Sequence, residues 1–372
     1  MATKMITERI ATRTRTKDRD GKGASKMRKG VSCALAVLVA MSGQDYAADD
    51  ELLQQANEMF QPIPEKPPAV EGVASTPAMV ELGRMLYFDP RLSESHNISC
   101  NTCHQIGLGG GDMLPTSIGH KSQRGGRNAP TVLNSVFNAA QFWDGRAKDL
   151  VEQAAGPIQN PIQMAITAEH AVEMLNGIPG YADRFAAAFP GEKDPITIDN
   201  AAKAIAVFET TLITPNAPFD RFLRGDTKAL SPEQREGLKL FVDSGCASCH
   251  NGINIGGGQY APFGVVEKPG AEVLPPDDKG RFMVTKTPDD EFVFKVPTLR
   301  NIALTPPYFH SGQSWDLEQA VGVMAVSQLG VELGAENVKK IAAFLHSLTG
   351  EQPQVVYPIL PPSTAATPPP QF

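Results

Sequence analysis

The sequence predicts a mainly α protein made of two small helical domains with extended loops. Three observations carry that expectation. A Cys-x-x-Cys-His pentapeptide occurs twice, as Cys100-Asn101-Thr102-Cys103-His104 and as Cys246-Ala247-Ser248-Cys249-His250. A helix begun by proline precedes each copy, and an amphipathic helix closes each half. The order helix, pentapeptide, loops, closing helix is therefore repeated, the mark of a duplicated unit.

The spacing inside the pentapeptide has a chemical reason. Two thiols separated by two residues can add to the two vinyl groups on one edge of a porphyrin. The histidine that follows then reaches the iron, so the pattern is that of c-type haem attachment. Two such pairs could instead make a four-thiolate zinc site. Their wide separation in the chain, and the histidine directly after each pair, favour two haems. Only Cys33 lies outside the motifs, so the five cysteines provide no disulfide framework.

A chain of 372 residues with 41% hydrophobic and 20% charged residues has room and composition for two globular domains. The net charge of -7 gives no basic footprint for nucleic acid, and an acidic surface suits a basic redox partner through steering.

Taken in order, residues 1–47 read as a signal peptide with an N-terminal extension. Met27-Arg28-Lys29-Gly30 is a positive n-region, Val31 to Met41 an apolar run too short to span a bilayer, and Tyr46-Ala47-Ala48 a cleavage region. A retained N-terminal anchor is the alternative. Covalent haem attachment happens outside the cytoplasm, so a periplasmic location is expected. No later segment is apolar enough to span a membrane.

Residues 48–75 form a polar, proline-rich lead-in strap. The first domain covers 76–215. Thr76-Pro77 caps a helix that carries Met79, Leu82, Met85 and Leu86 at helical spacing and stops at Asp89-Pro90. Asp199 to Ile213 closes the domain. The second domain covers 216–349, starts its helix at Ser231-Pro232, and closes with Glu336 to Leu348. The proline-rich tail, 350–372, is expected to be disordered. Glycine-rich loops at 107–111 and 256–258 either let backbone approach a flat cofactor or are simply flexible.

The second axial face of each iron decides its chemistry: a strong ligand gives electron transfer, and a releasable one admits substrate. For the first haem, His120 is the candidate, in a Pro/Gly-bounded loop long enough to swing over the ring. His96 lies too close to the motif, and His170 and His346 fall in helices. For the second haem, Met283, Met324 and His310 are candidates. Met324, between a helical stretch and the final helix, is favoured, with core packing the ordinary role of either methionine. Met283 falls in a β-like run, Arg281 to Val284.

Several longer runs then become recognisable. Leu114-Pro115-Thr116-Ser117-Ile118-Gly119-His120, Asn128 to Asn134, Phe142-Trp143-Asp144-Gly145-Arg146, Phe294 to Asn301 and Pro307 to Gly312 resemble the bacterial di-haem cytochrome c peroxidase family. The resemblance extends from about Val80 to Leu348. It implies two cytochrome c-like domains. Cys100, Cys103 and His104 would hold a low-potential, peroxide-reducing haem, with His120 its releasable distal ligand. Cys246, Cys249 and His250 would hold a high-potential haem, with Met324 as distal ligand and His310 near the point of electron entry. Trp143 would relay electrons between the haems, unless it is only a core aromatic. Asn128 and the carbonyls of Thr305 and Pro307 would bind one calcium ion between the domains, as oxygen ligands suit. The implied partners are hydrogen peroxide and a small electron donor, a c-type cytochrome or cupredoxin. Family members also commonly pair into homodimers. Methionine at 324, where related quinone-maturing enzymes carry tyrosine, argues against that activity.

One departure matters. In Asn160-Pro161-Ile162-Gln163-Met164 the family has glutamate where this chain has Gln163, and Gln153 matches a second polar residue of the distal pocket. Heterolysis of the peroxide O–O bond moves a proton between its oxygens, and an amide can only hydrogen-bond. The alternative function is thus an attenuated electron-transfer or redox-sensing protein on the same scaffold. A third is oxidation of another substrate at the His104 haem.

Overall fold

The computed structural model describes residues 50–372, so the expected signal peptide and Cys33 lie outside the described residues. Helix α1 spans 50–59. It is followed by α2 (Pro77–Phe88) and the one-turn α3 (Cys100–Cys103), then α4 (Leu150–Gln159), α5 (Ala168–Asn176), α6 (Pro179–Ala188) and α7 (Ile198–Thr210). The second half holds α8 (Pro218–Leu223), α9 (Pro232–Asp243), α10 (Phe282–Thr285), α11 (Leu317–Met324) and α12 (Ala335–His346). Two three-residue strands, β1 (Tyr260–Pro262) and β2 (Val293–Lys295), pair antiparallel with Tyr260 opposite Lys295. The mainly α expectation holds. No described helix is long and apolar enough to cross a membrane.

The duplicated unit is visible in two helix crossings. Thr76 accepts from the Met79 amide to start α2, and Ser231 accepts from Gln234 to start α9, each with proline in the first turn. Helix α2 packs on α7, and α9 packs on α12. Glycine makes both crossings close. A Cβ on Gly83 would lie 1.8 Å from the carbonyl oxygen of Ala204, and one on Gly237 would lie 1.9 Å from that of Lys340. Any side chain at either position would force the helices apart.

Each crossing anchors its own core. One contains Leu82, Leu86, Tyr87, Ile205 and Phe208; the other Phe219, Phe241, Ile341, Phe344 and Leu345. The two halves join through buried polar groups. Asn134 and Asn301 both donate to Thr214 Oγ1, at 2.7 and 2.9 Å, beside the expected boundary at 215.

Three local expectations are corrected. The lead-in is not merely a strap: α1 supplies Ala56, and Phe60 follows, both buried in the second core. The tail is ordered on the first domain. Val355 and Leu360 pack against that core, and Tyr357 meets Phe88 edge-on at 4.9 Å. Ala56 and Phe60 therefore lie on the second domain, whereas Val355 and Leu360 lie on the first. Finally, Phe282–Thr285 is a helical turn rather than a β-like run, stabilised by the Thr285 amide donating to Arg281 O at 3.0 Å.

Candidate active site and cofactor cavities

Cys100, Cys103 and His104 wall a cavity of about 520 Å³ in the first domain. The short helix α3 sets the two thiols one turn apart, and the Ser99 amide donates to Thr102 Oγ1 at 2.9 Å to hold that turn. His104 Nδ1 lies 3.0 Å from the Pro130 carbonyl oxygen. A carbonyl can only accept, so Nδ1 carries the proton and Nε2 is left as the ligand atom. Tyr87 Oη donates to the His104 carbonyl at 2.6 Å and fixes the same residue from α2. Burial lowers the His104 pKa and raises that of Cys100. Both shifts favour the uncharged forms.

The second motif is built alike. Cys246, Cys249 and His250 wall a cavity of about 240 Å³. His250 Nδ1 donates to the Ile255 carbonyl at 3.3 Å, and burial lowers its pKa to about 4. Gly256 lies against the Pro297 carbonyl, where a Cβ would come within 2.1 Å. The glycine-rich loop thus serves close backbone packing around this histidine. Paired thiols beside a neutral, oriented imidazole, each set on the wall of a cavity, fit covalently attached haem.

The remaining expected residues fall into three groups. Gln153 of α4 and Gln163 of the turn after it line the first cavity. Met324 and His310 line the second, as do Thr305 and Pro307, while Asn128 lines both. Trp143 lines both. Its indole N–H donates to the Asn128 carbonyl at 2.9 Å, and its ring stands edge-on to His310 with centroids 6.1 Å apart. His310 is 2% exposed, stacks on Phe294 at 4.2 Å, and has a pKa pushed down to about 4 by burial.

His120 lies elsewhere. It is buried in a separate pocket with Glu94, His170, Gln371 and Phe372, and its Nδ1 has no partner. Its backbone amide donates to the Gln163 carbonyl at 2.8 Å, so the His120 loop and the Gln163 turn are joined although the imidazole does not line the first cavity. Met283 is 50% exposed and borders the first cavity, which removes it as a candidate for the second. Met324 ends α11 at the entry to a π-helical turn, Ala325–Leu329, a distortion common at functional sites. Among the described residues no three His, Cys, Asp or Glu cluster as a metal site. A calcium site at Asn128 would therefore rely on amide and backbone oxygens.

Several titratable residues on the cavity walls escaped the sequence analysis, Lys295 and Glu209 among them. Lys295 lines the second cavity, and burial lowers its pKa to about 8. Glu209 lines the first, and burial raises its pKa to about 8. Glu209 follows Ile205 by one helical turn, so it falls on the apolar face of α7. A carboxylate there was the available signal.

Comparison with known proteins agrees with this architecture. A family model for di-haem cytochrome c peroxidase matches residues 77–228, and one for cytochrome c matches 234–349. Cytochrome c551 peroxidase of Pseudomonas aeruginosa is 57% identical over 324 residues, 87% of this chain and 94% of the relative. The cytochrome c551 peroxidase of Nitrosomonas europaea is 53% identical over 84% of this chain and 90% of its own. A solved MauG-like protein associated with microbial copper homeostasis superposes with a TM-score of 0.68 at 25% identity, covering 78% of this chain and 95% of that one. The chain, with its two c-type haem domains, belongs to the di-haem cytochrome c peroxidase family.

Proposed function

We propose that the chain is a periplasmic peroxidase that reduces hydrogen peroxide to water with electrons from a small redox protein. The observation that carries this reading is the pair of cavities, each walled by a Cys-x-x-Cys-His motif and both walled by Trp143. Haem iron supplies one-electron chemistry and a coordination position that can open.

The chain's own residues divide the work. Cys100, Cys103 and His104 hold the haem of the peroxide site; Cys246, Cys249 and His250 hold the other, with Met324 as its thioether ligand. His120 is the releasable ligand of the first site. Its burial away from the cavity, in a loop tied to the Gln163 carbonyl, supports a residue with two resting places. Gln153 and Gln163 orient peroxide by hydrogen bonds. Trp143 bridges the two sites, and Asn128, Thr305 and Pro307 offer oxygens to calcium near it.

The test is steady-state peroxide turnover by the half-reduced holoprotein, with haem counted per chain. Two haems and sustained turnover are expected; a count of one would overturn the assignment of the motifs. Met324→His should lower the potential of the second haem, because thioether ligation raises it. An unshifted potential would remove Met324 as ligand. Gln163 favours the second reading, an electron-transfer or redox-sensing protein. Two haems without turnover would select it.

A further inference from the structure

Glu209 is the unused chemical group of the first cavity. It is 5% exposed, and its Oε2 has no hydrogen-bond partner. It lines the cavity that also holds Cys100, Cys103 and His104. A buried carboxyl is costly unless it is paired or neutral. The cations on the same wall are already engaged: Arg127 by Asp144 at 2.7 Å and Asp278 at 2.6 Å, and the exposed Arg146 by Asp144 at 3.0 Å.

The charged and titratable surroundings are few. From α2, Tyr87 feels the Glu209 charge, as does Cys100 on α3. Thioether formation removes the Cys100 titration, and Tyr87 is committed to the His104 carbonyl. Helix α4 presents the uncharged Gln153, while its Glu152 is exposed. On α5, Glu169 and Glu173 are exposed and His170 pairs with Glu94 at 3.2 Å. The turn at Ser135–Phe137 contributes only the Ser135 hydroxyl, itself without a partner.

We propose that Glu209 is the redox-linked proton site of the first haem: one electron onto its iron is accompanied by one proton from solvent onto the Glu209 carboxylate. The ferric core carries a net positive charge that holds the carboxylate ionised. The ferrous core is neutral, the attraction is lost, and the buried group takes up a proton. The electron comes from the donor of the peroxidase cycle. Glu209 is a tuning residue rather than one that touches peroxide, and its role rests on the haem assignment above. With burial alone placing its pKa at about 8, the coupling falls near neutral pH.

The experiment is spectroelectrochemical titration of the holoprotein from about pH 5 to pH 9, spanning the shifted carboxyl range. The wild-type potential of the first haem should fall as pH rises. Glu209→Gln should lose that slope, Glu209→Asp should keep it, and Tyr87→Phe should leave it intact. The second haem should not respond to Glu209→Gln. A redox-difference infrared band from a carboxylic C=O, present in wild type, should vanish in Glu209→Gln. A flat wild-type potential, or an equal slope in Glu209→Gln, overturns the proposal. Haem counted alongside keeps the outcomes separate: one haem per chain overturns the underlying assignment instead. Should Glu209→Gln not fold, the wild-type slope, the infrared band and Glu209→Asp decide.

Discussion

The indole of Trp143 and the imidazole of His310 meet edge-on, 6.1 Å between centroids, where the walls of the two haem cavities coincide. Asn128 ties the Trp143 ring to the His310 backbone: its carbonyl accepts from Trp143 Nε1, and its backbone amide donates to the His310 carbonyl at 2.8 Å. One residue therefore holds the aromatic bridge and also contributes to the proposed calcium site.

Trp143→Phe keeps an aromatic body but removes the bond to Asn128. We expect a stability loss of about 1 kcal/mol, the worth of one neutral hydrogen bond. Transfer between the haems should slow by about tenfold, equivalent to roughly 1.4 kcal/mol of barrier, with two haems retained. Stopped-flow reduction followed at each haem checks this; an unchanged transfer rate would make Trp143 a packing residue only.

Gln163→Glu should restore a proton-transferring group on the wall of the first cavity. General acid–base help is worth about 10²–10⁴-fold, so peroxide turnover should rise by up to about 10²-fold if proton movement limits the present rate. Peroxide kinetics on the half-reduced pair of proteins measures it. No increase over an already fast wild type would show that Gln163 suffices.

The helices that shape the cavities were legible because local signals agree. Thr76-Pro77 and Ser231-Pro232 start α2 and α9, and apolar spacing marks α7 and α12. The haem motifs are local too, since their chemistry needs adjacent residues. What the sequence left hidden depends on distant partners. Phe60 gains its burial from Phe219 and Phe241, and Leu360 from the first core. The position of His120 is hidden for the same reason. Loop length allows the imidazole to reach the haem, while the pocket made by Glu94, His170 and the chain terminus is assembled only in the fold.

The ion pair of Arg300 with Asp220, 2.7 Å with both side chains fully buried, joins the lead-in to the second domain. Arg300 also donates to Gln61 O at 2.9 Å, and Asp220 accepts from the Ile63 amide at 3.2 Å. Arg300→Met leaves the carboxylate buried without its cation, a loss of about 3–5 kcal/mol. Denaturant unfolding should show that loss, and limited proteolysis should cut within residues 50–63 first. A change under about 1 kcal/mol, as at an exposed pair, would refute the role.

His310 makes stability depend on pH. Its folded pKa is held at about 4 by burial, below the ordinary value of 6.5, so between these values the unfolded chain binds a proton that the folded chain does not. Stability is therefore lost as pH falls from about 6.5 towards 4, by about 3 kcal/mol when complete. His310→Phe, which can keep the stack on Phe294, should flatten this part of the curve. Urea midpoints across the interval test it, and an equally steep decline in the variant would assign the loss to other groups.

The tail should stabilise one domain selectively. Arg84 donates to the Val356 carbonyl, Thr364 and Thr367 donate to Gly177 O at 3.0 and 2.8 Å, and the Gln371 amide donates to Glu94 O at 2.8 Å. The tail thus spans α2, the end of α5 and the pocket that holds His120. Truncation after Glu351 removes the half-buried Val355 and Leu360 and should cost about 2 kcal/mol in the first domain. Amide exchange should accelerate in α2, α5 and the His120 loop and stay unchanged in α9 and α12. Uniform acceleration would mean that the domains unfold together. No acceleration would mean that the tail only lies against a core stable without it.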